Sequence, residues 1–180
     1  MNKKIVILIL ILNSILFAKS SKIEKGGDIV QLLIPSIAYA STFYMEDEKG
    51  RDEFYKSFFS TFATTHILKR TVRERRPNKS NNLSFPSGHT SASFQGATFI
   101  HKRYGIKYAI PAYIGASFVG YSRVYGDEHY THDVLAGAII GSGFSYYFTS
   151  AYKIKGMNIL PIVYNSNNFS NTMYGVKVQW

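Results

Sequence analysis

Three long stretches without a charged residue limit what this chain can fold into: residues 29–45, 108–122 and 134–152. Each approaches the length of about 20 apolar residues that a bilayer-spanning helix needs. Pro35, Pro111 and several glycines interrupt them, and the mean hydropathy of the chain is only −0.08. They therefore predict the buried helices of a bundle that is soluble or attached to a membrane surface, with short membrane spans as the alternative.

Helix start and stop signals divide most of the chain into five helices. Asp28 is expected to cap the first helix, and Pro86 to be the first residue of the third. Gly137, Gly141 and Gly143 are expected to allow close packing of the fifth. The predicted ranges are 29–45, 53–75, 86–103, 107–123 and 133–152. The fold class that follows is all-α, a bundle of about five core helices.

The C-terminus differs from this helical domain, which we place at residues 21–152. Segments 158–164 and 173–180 are rich in Ile, Val and Tyr, and the second alternates with period two. They predict a short β-hairpin in an extension over residues 153–180. We expect this hairpin to cover a helical face.

The N-terminus has the pattern of a signal peptide over residues 1–20. Lys3 and Lys4 precede an apolar run, and the small residues Ala18 and Ser20 each fit a position after which the peptide is cut. We therefore expect export to the periplasm or cell envelope, with an uncleaved anchor as the alternative.

Composition excludes several classes of function. The chain of 180 residues contains no cysteine, which rules out disulfides, thiolate zinc sites and cysteine nucleophiles. Residues 1–20 hold three lysines and no acid, so the remainder keeps 18 basic residues against 11 acidic ones, a net charge of +7. Such a basic exported protein is expected to meet a membrane surface or phosphorylated solutes rather than nucleic acid.

The segment from Ser122 to Asp133 combines a fixed cation, Arg123, with a candidate nucleophile or base, His129, and a carboxylate, Asp133. One helical turn separates the last two residues. Asp133 can therefore bind an imidazole nitrogen of His129, fix its tautomer and stabilise its protonated form. A solvated loop with two histidines is the alternative at this point.

Two further segments could hold an anion. Lys69, Arg73 and Arg76 have the i, i+4, i+7 spacing that places three cations on one helical face. Pro86-Ser87-Gly88-His89 opens a helix, whose unpaired N–H groups and small residues let a phosphate approach. A solvated basic helix end and a plain helix start are the respective alternatives.

Taken in order, these segments resemble the type 2 phosphatidic acid phosphatase (PAP2) superfamily, which includes acid phosphatases, lipid phosphatases and vanadium haloperoxidases. The matching pattern is Lys69-x6-Arg76-Pro77, Pro86-Ser87-Gly88-His89 and Ser122-Arg123-x5-His129-x3-Asp133. The resemblance covers residues 28–152. The loop of eight residues between Pro77 and Pro86 is shorter than in many relatives, which indicates an open substrate entrance.

The resemblance implies a role for each matched residue. His129 would attack phosphorus and form a phosphohistidine, Asp133 would orient His129, and His89 would protonate the leaving oxygen and later activate water. The residues expected to bind the phosphate oxygens are Lys69, Arg76, Ser87, Gly88 and Arg123. No metal ion or other cofactor is implied.

We therefore expect an exported, metal-independent phosphatase that acts on phosphate monoesters or pyrophosphates, with a phosphorylated lipid as the substrate. The alternatives are a non-specific acid phosphatase acting on soluble esters and a non-catalytic phospholipid-binding envelope protein. Vanadate-dependent halide oxidation is a further alternative, but those enzymes are usually far larger. His66, His101 and His132 fall outside the pattern and are left out of the mechanism.

Overall fold

The computed structural model describes the backbone of residues 3–152, 158–165 and 172–179, and the side chains of residues 22–152. Its helices are α1 (Lys3–Tyr44), α2 (Glu48–Val72), α3 (Gly88–Tyr104), α4 (Ile106–Tyr125) and α5 (Thr131–Phe148). α3 packs against each of the other four helices and forms the centre of the bundle. The helices confirm the predicted bundle.

α1 begins far before the predicted first helix. Its backbone is helical from Lys3 to Tyr44, so Asp28 lies inside the helix and the predicted N-cap at this residue is wrong. Gly27 is buried against α4, where an added side-chain carbon would collide with Ser122 and Arg123. Packing at this close approach outweighs the low helix propensity of glycine.

α2 ends before its predicted end, at Val72. Arg73 has a left-handed backbone conformation, with φ of 53°, and its N–H caps the helix by donating to the carbonyl of Lys69. The predicted helical face formed by Lys69, Arg73 and Arg76 is therefore wrong. The left-handed residue turns the chain, so Arg76 approaches the bundle from a loop.

α3 begins at Gly88, and Ser87 rather than Pro86 marks its start. The Ser87 hydroxyl accepts a hydrogen bond from the backbone N–H of Thr90, as an N-cap does. Pro86 precedes this cap and follows a cis peptide bond from Phe85. The helix therefore begins two residues after the predicted first residue, Pro86, because the Ser87 side chain caps it.

α5 approaches the N-terminal half of α3 closely. A side-chain carbon at Gly137 or Gly141 would collide with the carbonyl oxygens of Ser87 and Ser91. The predicted role of these two glycines is confirmed. A side chain at Gly143 would meet nothing within 4 Å, so the prediction for that residue is wrong.

An apolar cluster and a buried ion cluster hold the C-terminal half of α3. Phe54 and Phe99 make an edge-to-face contact within the apolar cluster. Arg103 is 5% exposed and donates to Asp47 Oδ2 at 2.6 Å and to Glu53 Oε2 at 3.3 Å. Pairing with two acids allows the guanidinium to be buried.

Two strands follow the helices, β1 (Asn158–Asn165) and β2 (Thr172–Gln179). They pair antiparallel, with Asn158 opposite Gln179 and Asn165 opposite Thr172. The expected packing of a hairpin over a helical face concerns side chains outside the described residues. The side chains of the predicted signal peptide lie outside them as well.

Several helices carry exposed apolar side chains. On α4, four exposed apolar residues are spaced four positions apart, which places them on one side of the helix. We call this set the α4 face: Ile106, Ile110, Ile114 and Phe118.

Within the part of the chain that the structure describes, no helix combines the length and the apolar character needed to cross a membrane.

Candidate active site

His129 and Asp133 form a buried pair at the start of α5. His129 is 2% exposed and Asp133 is 0% exposed. His129 Nδ1 lies 3.3 Å from Asp133 Oδ2, so the contact expected across one turn is formed. With the proton on Nδ1 donated to the carboxylate, the lone pair of Nε2 is free to accept a proton or to act as a nucleophile.

The Asp133 carboxylate accepts two further hydrogen bonds. Ser84 Oγ donates to Oδ2 at 2.6 Å, and the Tyr130 N–H donates to the same oxygen at 2.9 Å. Ser84 lies fully buried in the loop before α3 and is missing from the sequence prediction. No local spacing could reveal it, because the contact joins residues 49 apart in the chain.

The surroundings of His129 favour a neutral imidazole. Burial, followed by the charges of Lys69 and Arg76, lowers the pKa of His129 to about 3, although Asp133 opposes the shift. The ring therefore keeps its lone pair between about pH 5 and 8. A positive charge on this ring would be stabilised by the Asp133 carboxylate beside it.

A cavity of about 600 Å³ lies beside this pair. Five of the eight predicted site residues line it: Lys69, Arg76, Gly88, His89 and His129. The other three, Ser87, Arg123 and Asp133, do not line the cavity. The structure thus brings the three separated sequence segments together around one space.

Lys69 reaches the cavity from the last turn of α2. Its Nζ donates to the carbonyl oxygens of Leu83 at 2.8 Å and Ser84 at 3.2 Å, which joins α2 to the loop before α3. Burial and the neighbouring Arg76 lower the pKa of Lys69 to about 8. An anion bound beside Lys69 would favour its protonated form.

Arg76 is paired with an acid that the sequence did not indicate. Its guanidinium forms an ion pair with Glu128, whose carboxylate also accepts from the Asn78 side chain at 3.1 Å. Within the described residues, the buried Nε of Arg76 has no hydrogen-bond partner. A phosphate oxygen in the cavity would satisfy such a donor.

The first turn of α3 supplies further donors. The Ser87 N–H donates to the Asp133 carbonyl at 3.0 Å and ties the starts of α3 and α5 together. The Ser87 hydroxyl accepts from Thr90 Oγ1 at 3.0 Å, which leaves its own proton available to donate. Gly88 lines the cavity at the helix N-terminus, where anions are stabilised.

His89 and Arg123 meet on one carboxylate, that of Asp28 in α1. Asp28 Oδ1 lies 3.1 Å from His89 Nε2 and 2.9 Å from Arg123 NH1. Burial and the Arg123 charge lower the pKa of His89, and Asp28 opposes this shift. The sequence indicated only a helix cap for Asp28, because its contact with Arg123 spans 95 residues.

The three remaining histidines have different surroundings. His101 Nδ1 lies 3.1 Å from the Tyr113 hydroxyl, a contact that fits a structural residue. His132 Nε2 lies 2.9 Å from Glu74 Oε1. His66, which the pattern leaves out, lines the cavity.

Comparison with known proteins relates this chain to phosphatases by its sequence and to a solved structure by its fold. The sequence pattern of the PAP2 superfamily matches residues 5–156. The chain is 30% identical over 171 residues to the lipid A 4'-phosphatase of Helicobacter pylori, across 88% of this chain and 85% of that protein. It is 42% identical over 69 residues to the lipid A 1-phosphatase of Porphyromonas gingivalis, across 37% of this chain and 16% of that protein. Its fold resembles the crystal structure of Aquifex aeolicus LpxE, with a TM-score of 0.63, 20% identity and coverage of 73% of this chain and 85% of that one.

Proposed function

This chain belongs to the PAP2 superfamily, and we propose that it removes a phosphate group from a phosphorylated lipid. The observation that carries the proposal is the composition of the cavity wall. Lys69, Arg76 and the two imidazoles of His89 and His129 share this wall with a row of aromatic side chains. A substrate that fills the cavity must therefore present both an anionic and an apolar part.

The aromatic part of the wall comes mainly from α2. Four phenylalanines on this helix line the cavity: Phe54, Phe58, Phe59 and Phe62. At a rise of 1.5 Å per residue, the row from Phe54 to Phe62 is about 12 Å long, and Lys69 lies about 10 Å further along the helix axis. α2 thus changes from apolar to cationic in the direction of the His129–Asp133 pair.

α1 supplies the opposite side of the aromatic region. Leu32, Pro35 and Tyr39 line the cavity from this helix. The Tyr39 ring packs on Phe54, with 5.3 Å between ring centroids, and its hydroxyl bonds to that of Tyr55. A groove with these two walls suits an acyl chain, since burying apolar surface stabilises the complex by about 25 cal/mol per Å².

The proposed reaction has two steps. Nε2 of His129 attacks phosphorus, the bond from phosphorus to the lipid oxygen breaks, and His89 protonates that oxygen. Water then attacks the phosphohistidine while His89 takes its proton, and the N–P bond breaks to release phosphate. Asp133 holds His129 and stabilises its cationic form in both steps.

The proposed phosphate ligands act through charge and hydrogen bonds. Lys69, Arg76 and Gly88 border the cavity, and we propose the hydroxyl of Ser87, the residue before Gly88, as a further donor. Donors held in place before the reaction stabilise the charge that develops on the phosphoryl oxygens. Because side chains and the α3 N-terminus supply this stabilisation, we expect hydrolysis to persist when divalent metals are chelated.

Arg123 enters the proposal through its contact with Asp28. Its guanidinium is buried and donates to Asp28 Oδ1 and, at 2.7 Å, to the carbonyl of Glu24. We propose that a bound phosphate competes with Asp28 for Arg123, as opposite charges at this distance are strongly coupled.

Lipid A is the first substrate to test, because it is the lipid on which the two relatives named above act. Phosphatidylglycerophosphate and isoprenoid pyrophosphates have the same combination of phosphate and apolar chain and are the next candidates. Mass spectrometry of the lipid A product would also identify which of its phosphates is removed.

We further propose that the protein works in the cell envelope, with residues 1–20 as an export signal and residues 21–152 as the catalytic domain. The α4 face supports contact with a membrane surface, since exposed apolar groups of this kind are often interaction sites. N-terminal sequencing of the mature protein and fractionation of cells into soluble and membrane pools test these two proposals.

The decisive experiment is a phosphate-release assay of the purified protein in detergent. The substrates are lipid A, phosphatidylglycerophosphate, an isoprenoid pyrophosphate and p-nitrophenyl phosphate. We expect the highest kcat/KM on a lipid, and a phosphate on His129 in rapidly quenched protein. Faster turnover of p-nitrophenyl phosphate than of every lipid would favour a non-specific acid phosphatase, and binding without release would favour a phospholipid-binding protein.

A further inference from the structure

A second cluster of charged groups lies next to the catalytic pair. His132 Nε2 lies 2.9 Å from Glu74 Oε1, 3.1 Å from Glu74 Oε2 and 3.3 Å from Asp133 Oδ1. One ligand atom from each of the three residues lies within 4.8 Å of the others. Within the described part of the chain, it is the one group of this kind.

The buried oxygen of Asp133 is the second observation. Oδ2 accepts hydrogen bonds from Ser84 and Tyr130 and lies beside His129. Oδ1 is buried and has no hydrogen-bond partner among the described residues, although Asp133 is 0% exposed. His132 Nε2, 3.3 Å away, makes no hydrogen bond to this oxygen, so a cation held between the two residues would compensate it.

The distances suit a small tetrahedral metal ion. Two ligand atoms that each lie about 2.0–2.1 Å from such an ion are about 3.3–3.4 Å apart. The separation of 3.3 Å between His132 Nε2 and Asp133 Oδ1 has this value. Glu74 Oε1, at 2.9 Å from Nε2, has to move before all three residues can bind one ion.

We propose that Glu74, His132 and Asp133 form a binding site for a divalent transition metal of the Zn²⁺ class, and that metal bound there inhibits the phosphatase. An imidazole with two carboxylates suits Zn²⁺, whereas Mg²⁺ and Ca²⁺ prefer sites made of oxygen atoms alone. His132 is 58% exposed, so a metal ion can enter from solvent and retain water as its fourth ligand.

Inhibition follows from the shared carboxylate. Asp133 stabilises the cationic form of His129 through Oδ2, and a metal ion on Oδ1 would withdraw negative charge from the same group. The positive charge of the ion would also oppose the charge that develops on His129 during attack. The metal-bound protein should therefore hydrolyse substrate more slowly.

Nearby cations limit the affinity of this site. The charges of Lys69 and Arg76 both interact with Asp133, and they would repel a divalent ion held by it. With three protein ligands and two opposing charges, we expect dissociation constants in the micromolar range rather than the tighter binding of a closed structural zinc site.

Direct binding is the first test, on the full-length protein after chelation. Calorimetry with Zn²⁺, and the visible absorption of Co²⁺ used in its place, should show one tetrahedral site in the wild type. His132→Ala and Glu74→Gln should weaken binding by at least about 10-fold, since even the loss of a group that only orients a ligand costs about that much. His101→Ala is the matched control and should bind like the wild type.

Phosphate release with added Zn²⁺ is the second test. Wild-type protein and His101→Ala should be inhibited at the concentrations that give binding, whereas His132→Ala and Glu74→Gln should resist. Equal inhibition of His132→Ala, or no stoichiometric binding to the wild type, would overturn the proposal and leave a structural cluster of His132, Glu74 and Asp133. Binding by a protein that hydrolyses none of the substrates would support the metal site and count against the phosphatase.

Discussion

Ser84 donates a hydrogen bond of 2.6 Å to Asp133 Oδ2, the oxygen that also lies 3.3 Å from His129 Nδ1. The loop before α3 thereby fixes the orientation of the carboxylate at the start of α5. The proposed nucleophile depends on this loop although no substrate group has to touch Ser84.

Ser84→Ala tests this dependence. Removing the donor leaves a buried carboxylate with one fewer hydrogen bond, so kcat should fall by about 10-fold and stability by about 1 kcal/mol. Substrate KM should change little, because Ser84 is a positioning residue. Steady-state kinetics measure the fall in kcat and urea unfolding measures the loss of stability, with Ser80→Ala, at an exposed serine, as the control. A change in KM without a change in kcat would contradict a positioning role for Ser84.

His129→Ala should abolish hydrolysis while the fold is retained. The substitution removes the attacking nitrogen and touches little of the apolar core, so kcat/KM should drop by at least about 10⁴-fold. His101→Ala, which changes a histidine outside the cavity, should keep activity near the wild-type level. Unchanged hydrolysis by the His129 variant, with circular dichroism showing a folded protein, would falsify the mechanism.

The pH profile should report Lys69. Because the pKa of Lys69 in the unliganded protein is about 8, kcat/KM should decline as the pH rises through this value and the phosphate-binding charge is lost. Arg76 contributes to the lowered pKa, so Arg76→Gln should move the decline to higher pH while reducing kcat/KM at every pH. Profiles measured for the wild type, Arg76→Gln and the exposed Arg75→Gln distinguish a shift in the pKa of Lys69 from a general effect of lost charge. If the decline occurs at the same pH in Arg76→Gln as in the wild type, Lys69 is excluded as its source.

The aromatic wall of the cavity should affect the hydrolysis of lipid substrates but not that of soluble ones. Phe62 lines the cavity and is 54% exposed, so Phe62→Ser should cost little stability. Loss of its apolar contact with an acyl chain should raise KM for the lipid by about 10-fold. Turnover of p-nitrophenyl phosphate should be unaffected. Ile67→Ser, an exposed change on the same helix outside the cavity, is the control, and an equal loss on both substrates would argue against an acyl-chain groove.

Arg103→Met should destabilise the bundle by about 3–5 kcal/mol, because Asp47 would be left as a buried acid without a cation and Glu53 would keep only the exposed Lys49. Thermal and urea unfolding measure this change, with the exposed Lys56→Met as control. A loss below about 1 kcal/mol would mean that solvent reaches the two acids.

The sequence predicted the helices and most of the motif residues because these depend on local spacing. One helical turn brings His129 to Asp133, and a serine before a small residue caps α3. Boundaries were less accurate where local signals compete with packing. Asp28 looks like an N-cap, but α1 continues through it, and Arg73 continues the basic pattern of α2 although its left-handed conformation ends the helix.

By itself, therefore, the sequence determined the class of fold, and the types and order of the residues proposed to carry the chemistry. Only the tertiary structure decided that Ser84 holds Asp133, that Asp28 joins His89 to Arg123, and that aromatic side chains extend the cavity beyond the proposed phosphate site. These contacts join residues tens of positions apart. They depend on how whole helices pack against one another, which cannot be read from the local spacing of residues in the sequence.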